Sequence, residues 1–258
     1  MKTSTIGRIK KILKIPLIIL FYLGVWQLLS IVVDSSLLLP SPVNTLQRLY
    51  ELIQKSETWK DIGNTFLRLL LGYGAGAFIG IVLAVITANC HFLYELLSPL
   101  RLLIQSTPVL SFVLILLVSM VSNMVPVAVA AIMVAPMLWA TTEQCIISLD
   151  PKLSEMSAVY LTPWKTLRYV ILPQMIPQII VSSVTALGFA WKSVITAEVL
   201  ALPRFAIGNR MHLSKIYLET TDMFAWTILI IILSLSMEIG LKKLVQKRKG
   251  GLTDDSNS

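Results

Sequence analysis

Asp150–Pro173, DPKLSEMSAVYLTPWKTLRYVILP, lies between two long apolar runs and is too polar to sit in lipid. Its punctuation is regular. Asp150-Pro151 reads as an N-cap followed by proline at the first helical position, where the missing N–H costs nothing. Thr162-Pro163 repeats the signal twelve residues later. Leu172 precedes Pro173 and is pushed away from the α region, so a second helix is expected to end there. Two short helices meeting at an angle follow. Leu153, Met156 and Tyr160 share a face of the first; Trp164, Leu167 and Ile171 share a face of the second. Such an apolar wedge must be covered. It either packs on its own bundle as a structural elbow or fills a groove in a partner.

Working outward, the apolar runs decide the class. The chain has 258 residues, 55% of them hydrophobic and 14% charged, with mean hydropathy +0.77. A soluble domain of this size carries nearly twice the charge. Several runs of about 20 apolar residues indicate an integral membrane protein. Lipid offers the backbone no hydrogen-bond partner, so these runs are helices. The alternation of an outer-membrane barrel is missing. The net charge of +8 is gathered at both ends and in the polar elbow, the positive-inside pattern, and no nucleic-acid motif accompanies it. Attraction to anionic membrane lipid follows. Cys90 and Cys145 lack CxxC spacing and read as small buried residues.

In chain order, residues 1–33 give a basic cytosolic N-terminus and an uncleaved first span from Ile15 to Val33. Residues 34–63 form an extracytoplasmic segment. Within it Ser41-Pro42 starts an amphipathic helix carrying Val43, Leu46, Leu49, Leu52 and Ile53. Residues 64–245 hold five more spans, at about 65–88, 99–121, 126–147, 175–195 and 223–241, with the elbow at 150–173. Residues 246–258 make a polar cytosolic tail, expected to be disordered from Gly250 on. Gly72, Gly76 and Gly80 recur every fourth residue and suit close helix packing in lipid. Arg68, a turn into its span, either snorkels to the headgroups or lines a path. His91 and Glu95 fall in a short loop, and residues 202–221 in a polar one. Trp191-Lys192 is expected at an interface, as an anchor.

Pro108 is expected to kink the third span, and Pro136 lies inside the fourth. Prolines at depth are tolerated where freed carbonyls face protein or a water-filled cavity, which points to a pathway. Ser182, Ser183 and Thr185 give the fifth span a small, polar character. Pro108, these three residues and Glu198 are the candidate path residues. No GxxxxGK[ST], HExxH or GxSxG occurs, so the chain carries no catalytic residue, no metal site and no phosphate loop of its own. Acids are too sparse in the spans for a proton relay, and no inverted repeat is apparent.

The elbow also resembles a family. Glu155, then Trp164, then Ile171-Leu172-Pro173 is similar to the cytoplasmic loop of binding-protein-dependent ABC importer permeases. Met156-Ser157 stands where that family has two alanines, Tyr160-Leu161 where it has a glycine. Leu39-Pro40-Ser41-Pro42, the run from Thr65 through Arg68 to Gly80, and the trace Trp191, Ala197-Glu198, Gly208, Asp222, Phe224-Ala225 resemble the sulfonate/nitrate/taurine branch. The resemblance implies an all-α integral membrane protein of about six transmembrane helices with the type I importer permease (MetI-like) fold. It implies that Glu155, Met156, Ser157, Tyr160, Leu161, Trp164 and Leu167 couple to an ATPase.

The partners so implied are a second permease copy or paired permease, two cytosolic ABC ATPase subunits that bind ATP and Mg, and an extracytoplasmic solute-binding protein. The solute would be a small molecule, a sulfonate-, taurine- or nitrate-like anion being favoured. The location would be the bacterial plasma (inner) membrane, crossed several times, with both termini cytosolic. The alternative reading is a non-transporting membrane scaffold or assembly subunit that holds a cytosolic partner through residues 150–173.

Overall fold

The computed structural model describes residues 5–254, and every regular element among them is helical. Two compact units emerge: the chain up to Trp59 with Arg210–Ile231, and Lys60–Asn209 with the chain from Ile232 on.

In the first unit, α1 (Thr5–Val33) carries the apolar run from Pro16 to Val33. It stops where Asp34 turns left-handed, at φ 47°. The side chains of the basic residues up to Lys14 lie outside the described ones. The short helix α2 (Pro42–Gln54) starts as its sequence predicts: Ser41 Oγ accepts from the Asn44 N–H at 3.2 Å, and Pro42 takes the first helical position. Its buried face is Pro42, Thr45, Leu49 and Leu52, while Val43, Leu46 and Ile53 stay exposed. Trp26 Nε1 donates to Pro40 O at 3.1 Å, and its ring stacks on Phe224 at 5.8 Å. Arg48 grips Asp222 with two bonds, 2.5 and 2.9 Å, and reaches Glu51 at 2.7 Å. Asp222 first and Glu51 second hold that guanidinium above its ordinary pKa.

The second unit is built on three packed helices. The long α3 (Ser56–Asn89) turns Gly72, Gly76 and Gly80 toward α6 (Val125–Ile147). A Cβ at Gly72 would lie 2.6 Å from both Ala130 Cβ and the Val127 carbonyl. One at Gly76 would lie 2.7 Å from the Ala131 carbonyl, and one at Gly80 would collide with that of Ala135. Backbone meets backbone here because no side chain stands between. On its other side α6 packs along α9 (Leu172–Ala201), where Val129, Met133 and Ala197 are buried together with Val113.

Between α3 and α6 the chain departs from one kinked span. It forms α4 (His91–Ser106) and α5 (Val109–Ser119), bent by 100° at Thr107-Pro108. Pro108 holds Thr107 extended, at ψ 131°, and then caps α5, so a full break replaces the kink. His91 and Glu95 belong to α4 rather than to a loop and pair at 3.1 Å across one turn. Pro136 leaves α6 unbroken and buried.

The polar loop after α9 contains a helix, α10 (Ile207–Ile216), and the last helix, α11 (Thr220–Asp254), runs through the expected disordered tail as far as Asp254. Residues 255–258 of that tail lie outside the described ones. Among the described residues, five helices are long and apolar enough to cross a membrane; α4 with α5 makes a sixth if the bent pair is one span.

Gly76→Leu is expected to lower the melting temperature in detergent by several degrees, since overpacking a close contact costs about 1–3 kcal/mol. Gly74→Leu, with nothing within 4 Å of its Cβ, is expected to leave it nearly unchanged. Equal shifts for the two variants would contradict the close α3–α6 approach.

Candidate functional site

The polar elbow begins as its sequence predicts and ends differently. Helix α7 (Pro151–Tyr160) is capped by the Asp150 carboxylate, which accepts from the Lys152 N–H at 2.9 Å. Leu161 and Thr162 form the corner, and α8 (Pro163–Thr166) follows. No second short helix ends at Leu172. The chain passes through a π-helical turn, Leu167–Ile171, straight into α9. The Leu172 N–H bonds back five residues to the Leu167 carbonyl. Pro173 explains the wider turn. It lacks an N–H and crowds the Tyr169 carbonyl four residues back, and one extra residue in that turn relieves the crowding. From Trp164 to Ala201 the chain is one helical rod, so the second half of the elbow is the foot of a membrane helix.

The elbow's apolar side chains find little cover in their own chain. Tyr160 is 80% and Trp164 68% exposed, and Met156, Val159 and Tyr169 are also exposed. Glu155, Lys152, Lys165 and Arg168 stand among them. Ser157 is placed otherwise than a contact residue. It is buried at the corner, where its carbonyl accepts from the Leu161 N–H at 2.8 Å and lies 3.5 Å from Thr166 Oγ1. Leu161 is half-buried, and Leu167 is 38% exposed. Val159 and Tyr169 carry apolar surface that the residue pattern did not single out. Val159 stands three residues from Met156, a helical spacing legible in the sequence.

Two buried ionic clusters join the helices of the second unit. In one, Arg68 and Glu198 pair at 2.9 Å, and the carboxylate is fully enclosed. Thr65 Oγ1 donates to Glu198 Oε2 at 2.9 Å and the Gly208 N–H donates to it at 3.2 Å. Arg68 spends its remaining donors on the carbonyls of Arg204 (2.8 Å) and Phe205 (3.1 Å) and on Asn123 Oδ1 (3.3 Å). Those carbonyls belong to a strained turn: Leu202 and Phe205 both take left-handed φ, 51° and 52°. Gly208 is obligatory beside it, because a Cβ there would lie 2.5 Å from Glu198 Cβ. Arg68 is therefore turned into the protein rather than out to the headgroups, and Glu198 is enclosed with it.

In the second cluster, Glu143 of α6 accepts from Arg101 of α4 and from Thr87 of α3. Trp139 donates to Thr87 Oγ1 at 2.9 Å, and the Arg101 guanidinium lies 5.1 Å from its ring. Glu143 within an apolar run was the available signal.

Of the other candidate path residues, Pro108 sits at the α4–α5 break. Ser182 and Ser183 are half-buried: Ser182 bonds Thr141 at 2.8 Å, and Tyr73 donates to the Ser183 carbonyl at 3.3 Å. Only Thr185 of the three polar residues is exposed. Trp191 is buried rather than anchored at an interface. Among the described residues no group of three His, Cys, Asp or Glu side chains could hold a metal.

Residues 76–250 match the family described as binding-protein-dependent transport system inner membrane component. The chain belongs to that family. A probable ABC transporter permease of Brucella melitensis biotype 1 is 27% identical over 219 residues, 84% of this chain and 87% of its own. A putative aliphatic sulfonates transport permease of Bacillus subtilis (strain 168) is 25% identical over 213 residues, 80% and 76% of the two chains. The inward-facing MetNI methionine ABC transporter superposes with TM-score 0.58 at 18% identity, over 73% of this chain and 93% of that one. The fold is thus that of the MetI-like permeases, and the chain is the multi-pass permease component of an ABC importer rather than an enzyme.

Glu198→Ala leaves Arg68 buried without its countercharge and is expected to cost about 3–5 kcal/mol. Arg68→Met combined with Glu198→Met is expected to cost less than the two single changes added together. Thermal denaturation in detergent checks this, and strict additivity would refute the pairing.

Proposed function

We propose that this chain and a second copy form the translocation path of an importer for a small anionic solute. In this reading Glu155, Met156, Tyr160 and Trp164 dock in a groove of a cytosolic ATPase subunit. One observation carries the docking claim: the elbow presents Tyr160 and Trp164 almost bare to solvent, and a wide aromatic surface of that kind is what a helix-in-groove contact uses. Ser157 is left out of the contact set because it is buried, and Leu161 and Leu167 contribute only edges.

The orientation follows from charge. Lys152, Lys165 and Arg168 are exposed on the elbow, and basic residues favour the cytosolic side. Both termini then lie in the cytosol of a bacterium whose inner membrane holds the protein. ATP and Mg bind the ATPase subunits, two per assembly, and a solute-binding protein delivers cargo from the opposite side. Closing of the ATPase pair would move the elbows together. Because α8 continues into α9, that motion would reach the membrane segment along one rod. The anionic solute is supported by the sulfonate permease among the relatives.

Affinity capture of the protein from its native membrane is expected to bring down a P-loop ATPase. Trp164→Asp and Glu155→Lys are expected to cut that recovery about tenfold, the loss typical of one buried aromatic or charged contact, with membrane levels unchanged. An ATPase retained by both variants, with full uptake, would dismiss the docking claim. If no ATPase is recovered, the docking role given to the elbow is refuted.

A further inference from the structure

In its second half, helix α9 is buried on one side and open on the other. From Ala186 onward its Ala186, Leu187, Ala190, Trp191, Val194 and Ala197 are buried. The open side carries Gln178, Val181, Thr185, Phe189, Lys192 and Thr196, all exposed. At 3.6 residues per turn these six fall within an arc of about 80°, a single seam. Four of the six are polar or charged, in a helix that is otherwise apolar enough to cross a membrane.

Lipid is a poor neighbour for that seam. Thr185 and Thr196 return their hydroxyls to the helix backbone, to Val181 O at 3.2 Å and Lys192 O at 2.9 Å. Gln178 and Lys192 make no such bond to the described residues, which leaves an amide with two donors and an ammonium with three on the open side. Lys192 lies six residues before the enclosed Glu198, about 9 Å along the axis. Arg68 and Arg101 each sit on a glutamate, whereas Lys192 faces outward. Ionisable residues in spans face the bundle interior or water.

We infer that the Gln178–Thr196 seam of α9 lines an aqueous pathway, in which Lys192 is the positive charge met by the anionic group of the passing solute. This rests on the importer reading and supplies what that reading lacked, a place in the chain where an anion is recognised. It also sets the half-buried Ser182 and Ser183 and the enclosed Glu198 aside in favour of residues on the open face. Lys192 acts as a compact charge on a flexible stem, suited to weak, multi-oriented contact with a sulfonate or carboxylate rather than to a rigid fork.

The test uses the full chain in native membrane vesicles, with Cys90→Ala and Cys145→Ala as background. Gln178→Cys, Thr185→Cys and Thr196→Cys are each exposed to a membrane-impermeant anionic thiosulfonate and to a cationic one of similar size. Phe78→Cys, on an apolar exposed position of α3, is the lipid-facing control. The seam positions are expected to react and the control to stay inert. At Thr185→Cys the ratio of anionic to cationic reactivity is expected to fall about tenfold on Lys192→Met, as removal of a focusing charge predicts, and to be kept by Lys192→Arg.

Seam positions as inert as the control would overturn the pathway, and so would spontaneous cross-linking between copies without labelling. A ratio indifferent to Lys192→Met would overturn the anion role. Gln178→Cys gives the same readout should a Thr185 variant fail to reach the membrane. Labelling needs no ATPase, so its outcome is separate from affinity capture: a wet seam without an ATPase sinks the docking claim alone, and an ATPase with a dry seam sinks this inference alone.

Discussion

Glu198 sits on a membrane helix with its carboxylate closed off from solvent, and that charge is tolerable only because three donors, one of them cationic, meet its two oxygens. The donors come from three places in the chain: Thr65 and Arg68 on α3, and the Gly208 N–H on α10. A buried ion pair of this kind adds little net stability over a well-packed apolar substitute, but it penalises any arrangement that separates its members. Its effect is to fix which end of α3 meets which end of α9. The left-handed turns at Leu202 and Phe205 follow from it, since they aim two carbonyls at Arg68.

The glycines of α3 set the second constraint. With no side chains at Gly72, Gly76 and Gly80, α3 comes within backbone contact of α6. Dispersion between closely fitted helices replaces the hydrophobic drive that lipid does not provide. At the far end of α3 the Thr87–Glu143–Arg101 cluster fastens α3, α4 and α6 together. The unit is thus pinned by charge near both ends and by close packing between.

The continuity of α8, the π-turn and α9 has a mechanical consequence. A flexible corner at Leu172 would absorb movement of the elbow. A helix that widens for one turn to accommodate Pro173 runs on without a break, the form that the proposed coupling needs. The break in the elbow instead lies at Leu161-Thr162, between α7 and α8, beside the buried Ser157.

Much of this was legible in the residues. Runs of apolar side chains, longer than a bilayer is thick, dictated membrane helices, because backbone groups in lipid must bond internally. The caps at Ser41 and Asp150 were readable for the same local reason: a side-chain oxygen three residues or fewer from an orphan N–H. The periodic glycines announced close packing, and the order of short motifs pointed to the family. What the residues alone left open depends on contacts between distant positions. Arg68 and Glu198 stand 130 residues apart, so nothing local distinguishes a paired arginine from a snorkelling one. Pro108 and Pro173 carry the same local signal, yet one breaks its helix by 100° and the other is absorbed in a wider turn. The seam on α9 was hidden likewise, since Ser182 and Thr185 are equally polar and only the position of α6 decides which is covered. Local chemistry fixed the elements and their ends; which face of each is buried was settled only when the helices packed, because burial belongs to pairs of surfaces and not to a residue.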